Sequence, residues 1–141
     1  MKRRWITFPM LLISMVCNHH EATWEYIEID YFEQHKQMVL EKIIQIESEG
    51  NPMAVGDNGK AIGLLQIWPI MIHEVNRLLK EERYSLEDRW DSLKSIEMFI
   101  TYQEIVNPDW NEELAARRWN GGIRGERNPK TDIYWEKYLN Q

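Results

Sequence analysis

Apolar residues recur at helical spacing along most of this chain. From Tyr31 to Glu47 they return every three or four residues, which predicts an amphipathic helix with one buried face. Gly50 and Pro52 follow, and neither favours continuation of the helix. Further helices are predicted to begin at Pro69, at Asp91 or Ser92, at the capping box Asp109-x-x-Glu112, and near Asp132.

The same pattern predicts which side chains face the core. In the helix that begins at Pro69, the apolar stripe consists of Met71, Val75, Leu78 and Leu79. In the helix that begins at Asp91 or Ser92, the predicted inward side chains are Leu93, Ile96, Ile100, Tyr102 and Ile105. Asn107-Pro108 is predicted to end that helix, and Gly121-Gly122 to end the next one.

One short stretch departs from the helical pattern. The segment Gly56-Asp57-Asn58-Gly59 contains an Asn-Gly pair, which favours a tight turn between two strands. A small β-hairpin or an irregular flap is therefore predicted between Val55 and Ile62. The predicted fold class is mainly α, a helical bundle-like domain with one small β-hairpin.

Length and composition limit the classes of function. The 141 residues give room for one domain, and 43% hydrophobic with 28% charged residues indicates a globular protein. The net charge of −6 argues against a dedicated nucleic-acid binder. His35 and His73 lie far apart in the sequence, His19-His20 lie beside the N-terminal segment, and no HExxH-like spacing occurs. We therefore expect no metal, no cofactor and no nucleic-acid partner.

Residues 1–17 have the composition of a signal peptide or an N-terminal anchor. A basic start, Lys2 to Arg4, precedes a mostly apolar segment that is short for a membrane span. Cys17 is the only cysteine, so an internal disulfide is impossible, and its lipidation is left open beside simple cleavage. We expect an exported protein of the periplasm or cell envelope that contacts the membrane only through this segment. Residues 18–30 are interpreted as a leader, and residues 31–141 as the domain.

Glu47 is the candidate for acid–base chemistry. It stands at the predicted C-terminal end of a helix, where the partial negative charge disfavours a second negative charge. Burial against apolar neighbours such as Ile44 and Leu64 would also favour the protonated form. Both effects raise the pKa of a carboxyl group toward neutrality, as a general acid requires. The alternative is an ordinary exposed glutamate beside Glu49.

Three segments match one family pattern in order. They are Glu47-Ser48-x-x-Asn51-Pro52-x-Ala54, then Ala61-x-Gly63-Leu64-x-Gln66-Ile67-x-Pro69, and finally Ala116-x-x-Trp119-Asn120-x-Gly122. Together they resemble the catalytic domain of soluble lytic transglycosylases, which are relatives of goose-type lysozyme with the lysozyme-like fold. Each segment alone is weakly specific, whereas their order and spacing are strongly specific. The resemblance covers roughly residues 37–122.

The resemblance implies cleavage of the β-1,4 bond between N-acetylmuramic acid and N-acetylglucosamine in peptidoglycan. The glutamate would protonate the glycosidic oxygen and then act as a base, so that the muramyl C6 hydroxyl closes a 1,6-anhydro ring. By this match Ser48 orients Glu47, Gln66 and Asn120 bind near the substrate, and Gly63 and Gly122 allow close backbone approach. Trp119 stands where the family usually has tyrosine, which leaves sugar stacking or core packing as its role. The implied partner is the glycan strand, bound by a monomer.

Asp57 leaves a second mechanism open. Its segment is similar to one in goose-type lysozymes, where an aspartate places a water, so Glu47 and Asp57 would hydrolyse the glycan. Alternatively, Asp57 only braces its own turn. A non-catalytic wall-binding protein is a further alternative. The biological setting also stays open between wall turnover, phage entry, and a secretion or conjugation apparatus.

Overall fold

The computed structural model describes residues 24–141, and for residues 24–29 it describes only the helical backbone. The predicted signal segment and Cys17 lie outside these residues. The first helix, α1, spans Trp24–Ser48 and thus begins well before the predicted start at Tyr31. Val39 and Ile43 are fully buried on its inner face. The helix ends because Glu49 and Gly50 adopt left-handed backbone angles, with φ of 54° and 82°.

The predicted hairpin is confirmed. Strands β1 (Val55–Gly56) and β2 (Ala61–Ile62) pair antiparallel, with Val55 opposite Ile62. A 3-10 turn at Asp57–Gly59 joins them. In the following segment, Gly63 has a φ of +77°, and a Cβ there would lie 2.0 Å from the Arg89 carbonyl oxygen. Glycine is therefore required at this position by the protein's own packing.

Four further helices complete the mainly α architecture that the sequence predicts. They are α2 (Pro69–Leu79), α3 (Ser92–Val106), α4 (Glu112–Gly121) and α5 (Asp132–Leu139). Pro69 stands in the first turn of α2, as predicted, and Asp91 caps α3 by accepting hydrogen bonds from the backbone N–H groups of Leu93 and Lys94. Asn107-Pro108 ends α3, and Gly122 is the C-cap of α4.

The predicted inner face of α3 is partly wrong. Leu93 is 79% exposed and Ile105 is 41% exposed. The buried face of α3 consists of Ser95, Met98, Phe99, Tyr102, Gln103 and Val106. The segment is helical as predicted, but two polar residues, Ser95 and Gln103, occupy the buried stripe and shift its direction. Ser95 donates to the Arg89 carbonyl at 3.2 Å and Gln103 to the Ala115 carbonyl at 3.4 Å, so their burial is compensated.

The predicted capping box before α4 is also wrong. Asn111 is the N-cap, and its side-chain oxygen accepts a hydrogen bond from the Leu114 backbone N–H at 3.0 Å. Trp110 is 1% exposed and has a left-handed backbone with a φ of 49°. Because this indole is buried, the helix begins after Trp110 and not at Asp109. Asparagine is as good an N-cap residue as aspartate, since its side-chain oxygen also accepts a hydrogen bond from a free backbone N–H of the first turn.

An aromatic cluster joins α3 and α4 in the core. The Phe99 ring packs edge-on against Trp119 at a centroid distance of 4.9 Å and against Trp110 at 6.2 Å. Tyr102 contacts Trp119 at 6.0 Å. Val39, Ile43, Leu65, Ile67 and Val75 bring α1, the hairpin region and α2 onto the same core. This packing fixes the end of α1 relative to α4 and α5. In the part of the chain that is described, none of the helices has the length and apolar character needed to cross a membrane.

Candidate active site

A cleft of about 800 Å³ opens where α1 ends, between the hairpin, the start of α2 and the end of α4. Six of the eight residues with a predicted site role line it, namely Glu47, Asp57, Gln66, Trp119, Asn120 and Gly122, whereas Ser48 and Gly63 do not. The six come from segments far apart in the sequence. The fold therefore brings these six residues to one concave surface of the size used for small-molecule sites.

Glu47 lies in the last turn of α1 and is partly buried at the cleft. Burial raises the pKa of its carboxyl group to about 7, and the negative charge of Asp57 acts in the same direction. The hydrogen bond from Tyr134, the charge of Lys137 and the Trp119 indole oppose the shift. Burial prevails, so near neutral pH Glu47 exists in both protonation states and is able to give and accept a proton.

Tyr134 is the site residue that the sequence did not reveal. Its hydroxyl donates a hydrogen bond to Glu47 Oε1 at 2.6 Å, from α5 and 87 positions away in sequence. Burial beside the Glu47 carboxylate raises the pKa of Tyr134 well above its usual value, so the phenol keeps its proton. The helical pattern predicts α5, but no sequence signal connects this tyrosine to Glu47.

Trp119 is both a core residue and part of the cleft. It is 6% exposed, and its ring is packed against Phe99 and Tyr102. This burial gives a packing reason for a large aromatic side chain at the position. Trp119 has no hydroxyl group, unlike the tyrosine usual at this position in the family. The hydroxyl that hydrogen-bonds to Glu47 belongs to Tyr134.

Ser48 and Gln66 bind the protein's own backbone. Ser48 Oγ donates to the Leu64 carbonyl at 2.7 Å, and Ser48 does not line the cleft. It thereby ties the end of α1 to the segment after the hairpin, so any effect on Glu47 is indirect. Gln66 Nε2 donates to the carbonyls of Ala54 and Gly63, at 3.1 and 3.0 Å. Its two N–H donors are thus used within the protein, which leaves its side-chain oxygen as the free polar atom.

Asp57 does not brace its own turn with its side chain. Its Oδ2 accepts a hydrogen bond at 3.0 Å from the indole N–H of Trp68, at the start of α2. Asp57 lines the same cleft as Glu47 and is near enough for its charge to raise the Glu47 pKa. The two carboxyl groups therefore belong to one electrostatic site.

Asn120 and Gly122 form the rim at the end of α4. Asn120 is exposed at the cleft, and Gly122 has a φ of +76°. No atom lies within 4 Å of the point where a Cβ on Gly122 would stand, so the backbone there faces open space. Among residues 30–141, no group of three or more histidine, cysteine or acidic side chains is placed to hold a metal ion.

The sequence matches the family model of the transglycosylase SLT domain over residues 26–139. Comparison with curated proteins and with solved structures gives no match. The matched range contains every residue that lines the cleft and includes α5 with Tyr134. Such domains are typical of enzymes that cleave the glycan of peptidoglycan. Because the match spans most of the chain, this protein belongs to the transglycosylase SLT domain family.

Proposed function

We propose that this protein is a peptidoglycan lytic transglycosylase in which Glu47 serves as both acid and base. The observation that carries the proposal is the setting of Glu47, which is partly buried at a cleft, has a pKa raised to about 7, and receives its 2.6 Å hydrogen bond from a neutral phenol. A carboxyl group in such surroundings holds its proton at a pH where most glutamates have lost theirs.

The first step uses protonated Glu47. Its proton passes to the oxygen that joins N-acetylmuramic acid to N-acetylglucosamine, and the bond from this oxygen to the muramyl C1 breaks. The N-acetylglucosamine end leaves as an alcohol, and positive charge develops at C1. Glu47 is left as a carboxylate, which strengthens the hydrogen bond from Tyr134 because the acceptor is now charged.

The second step uses the same carboxylate as a base. It removes the proton of the muramyl C6 hydroxyl, and O6 forms a bond to C1, which gives the 1,6-anhydro product. Glu47 regains its proton, so one residue completes the cycle without water. A single carboxyl group is able to do both tasks only if its pKa lies near the working pH, which is where burial places it.

Hydrolysis is the second candidate reaction, and the position of Asp57 favours it. Asp57 shares the cleft with Glu47 and raises its pKa. In inverting glycosidases, a second carboxylate activates a water that attacks the sugar from the opposite face. The product would then be a reducing end instead of an anhydro ring.

Mass analysis of the products separates these reactions. Purified peptidoglycan is incubated with the protein and with Glu47→Gln, and the released muropeptides are analysed by mass spectrometry. We expect products that lack the mass of one water, formed by the native protein and absent with the variant. Reducing-end products would instead establish hydrolysis. Binding of peptidoglycan without any cleavage would establish a wall-binding protein and refute the enzymatic assignment.

We also propose that the protein acts outside the cytoplasm, because its substrate is found there. The basic and apolar composition of residues 1–17 supports export. Fusion of residues 1–23 to a reporter that is active only after export tests this. A matched fusion in which the three basic residues Lys2, Arg3 and Arg4 are replaced by glutamate should stay in the cytoplasm.

A further inference from the structure

Trp68 connects the hairpin to the wall of the cleft. It is the N-cap residue of α2, directly before Pro69, and lines the cleft with 39% of its surface exposed. Its indole N–H donates to Asp57 Oδ2 at 3.0 Å. An indole has a single donor and no acceptor, so this bond uses all of the hydrogen-bonding capacity of Trp68.

The turn that carries Asp57 has an unfavourable backbone geometry. Asp57 and the following Asn58 both have positive φ, 48° and 55°. These angles are uncommon for residues with a side chain, although aspartate and asparagine tolerate them best. A two-residue segment of this kind is retained when the surrounding structure holds it in place.

Among the described residues, the Trp68 indole is the single hydrogen-bond partner of the Asp57 carboxylate, and no ion pair reaches it within 4.0 Å. The ammonium of Lys60, on the same turn, instead lies over the Trp68 ring at 5.4 Å from the centroid. Trp68 therefore determines where this carboxylate is held, and Lys60 packs against the ring that does so.

We propose that Trp68 is a positioning residue that holds the Asp57 side chain at the cleft it shares with Glu47, where Asp57 stabilises the positive charge that develops on the sugar during bond cleavage. The inference rests on the proposed function, because that charge arises only if a glycosidic bond breaks. A fixed carboxylate stabilises such charge better than a mobile one, since no reorganisation is needed at the moment of reaction. The role holds for both ring closure and hydrolysis.

Trp68→Phe tests this inference because it keeps an aromatic face on the cleft and removes the N–H donor. The first readout is the pKa of Glu47, measured by carbon NMR of its side-chain carboxyl group, which does not require activity. The charged and titratable groups that act on Glu47 are Asp57 from the hairpin, and Tyr134 and Lys137 from α5, beside the Trp119 indole from α4. Trp68 donates its hydrogen bond to Asp57.

We expect the Glu47 pKa to fall in Trp68→Phe and in Asp57→Asn, by about 0.5 in each, because a nearby negative charge is released or removed. The double variant should show no fall beyond that of Asp57→Asn alone. Trp90→Phe is the matched control, since Trp90 is 42% exposed and lies outside the cleft. An unchanged Glu47 pKa in Trp68→Phe, together with a lowered one in Asp57→Asn, would overturn the positioning role.

Kinetics with soluble glycan strands provide the second readout. We expect kcat to fall about tenfold in Trp68→Phe and in Asp57→Asn, with KM nearly unchanged, because an interaction of the transition state is lost. A raised KM in Trp68→Ala with no change in Trp68→Phe would show that Trp68 only stacks on sugar, against the inference. If the native protein fails to cleave peptidoglycan, the proposed function and the catalytic use of Asp57 both fail, while the NMR titration still decides whether Trp68 holds the carboxylate.

Discussion

Two glutamates line the same cleft, and their environments shift their pKa values in opposite directions. Glu47 is partly buried, and its closest partner is the neutral hydroxyl of Tyr134. Glu74 accepts two hydrogen bonds of 2.8 Å from the Arg77 guanidinium, which lies on the same helix, α2. Burial raises the pKa of Glu47 to about 7, whereas the Arg77 side chain lowers that of Glu74. The charge of the partner and access to water, not the residue type, decide which carboxyl group is able to donate a proton.

The location of each glutamate explains the difference. Glu74 pairs with Arg77, three positions further along α2, and this cation stabilises the ionised form of Glu74. Glu47 stands at the end of α1, where α5 covers it and supplies the phenol of Tyr134. A neutral donor is able to hydrogen-bond to the carboxyl group whether or not that group is protonated. It does not stabilise the ionised form as a cation would, so Glu47 keeps a proton that it is able to transfer to a substrate.

The largest expected effect comes from Glu47→Gln. This change keeps the shape of the side chain and removes its proton, so cleavage of peptidoglycan should fall about a thousandfold, as for loss of a general acid. Release of soluble muropeptides measures the rate. Glu49→Gln is the control, since Glu49 is the exposed neighbour outside the cleft, and Glu74→Gln should cost no more than about threefold. Comparable losses in Glu47→Gln and Glu74→Gln would abolish the distinction between the two residues.

The second effect is on stability. The folded-state pKa of Glu47, about 7, lies above its ordinary value of 4.5. Its contribution to the free energy of unfolding is therefore fully present below about pH 4.5 and is lost as the pH rises to about 7, because the unfolded chain ionises first. The loss is on the order of 3 kcal/mol.

Urea unfolding of the native protein and of Glu47→Gln at several pH values measures this contribution. Glutamine does not titrate, so the stability of the variant relative to the native protein should increase between pH 4.5 and pH 7. A constant difference across this range would show that Glu47 has an ordinary pKa, like a surface carboxylate.

The third effect concerns Tyr134→Phe, which removes the hydroxyl that Glu47 accepts from. This bond lowers the Glu47 pKa, so its loss should move the pKa above 7 and shift the alkaline limb of activity to higher pH. The maximal rate should fall about tenfold, because the carboxylate formed in the first step loses a hydrogen bond.

Tyr138→Phe is the matched control. Within the described chain, the buried hydroxyl of Tyr138 has no hydrogen-bond partner. An unchanged pH profile in Tyr134→Phe would mean that the two side chains are not coupled.

The smallest effect is expected from Arg77→Gln. Without the guanidinium, the pKa of Glu74 should rise toward its ordinary value, and the Glu47 pKa and the cleavage rate should stay the same. Carbon NMR titration of both carboxyl groups measures this in one experiment. A rise of the Glu74 pKa to near 7 would show that burial in the cleft raises the pKa of both carboxyl groups, and that the ion pair with Arg77 is not what distinguishes them.

The sequence predicts the helices better than their inward faces. The stretches after Pro69 and Asp91 are helical as predicted, because caps and apolar spacing are local signals. The inner face of α3 was partly wrong because Ser95 and Gln103 are buried and find partners on other segments. The start of α4 was misplaced because Trp110 is buried before it. A single sequence does not show where such partners lie.

The candidate site was likewise only partly predictable from the sequence. The three motifs identified residues that meet at one cleft, but they did not show that the side chains of Ser48 and Gln66 donate hydrogen bonds to backbone carbonyls. They also gave no reason to connect Asp57 with Trp68. These contacts depend on how the backbone runs from the end of α1 through the hairpin to α2. Hydrogen bonds between residues far apart in the sequence determine that path.

The sequence by itself determined the helical class, the hairpin, the family, and the glutamate on which the proposed chemistry depends. These follow from the spacing of apolar residues, from turn formers and from short motifs, all of which are local properties of the chain. Only the tertiary structure decided that Tyr134 of α5 faces Glu47, and that burial governs the pKa of Glu47 while Glu74 is paired with a cation. The physical reason is that a pKa depends on burial and neighbouring charges, and the fold brings those neighbours from distant parts of the sequence.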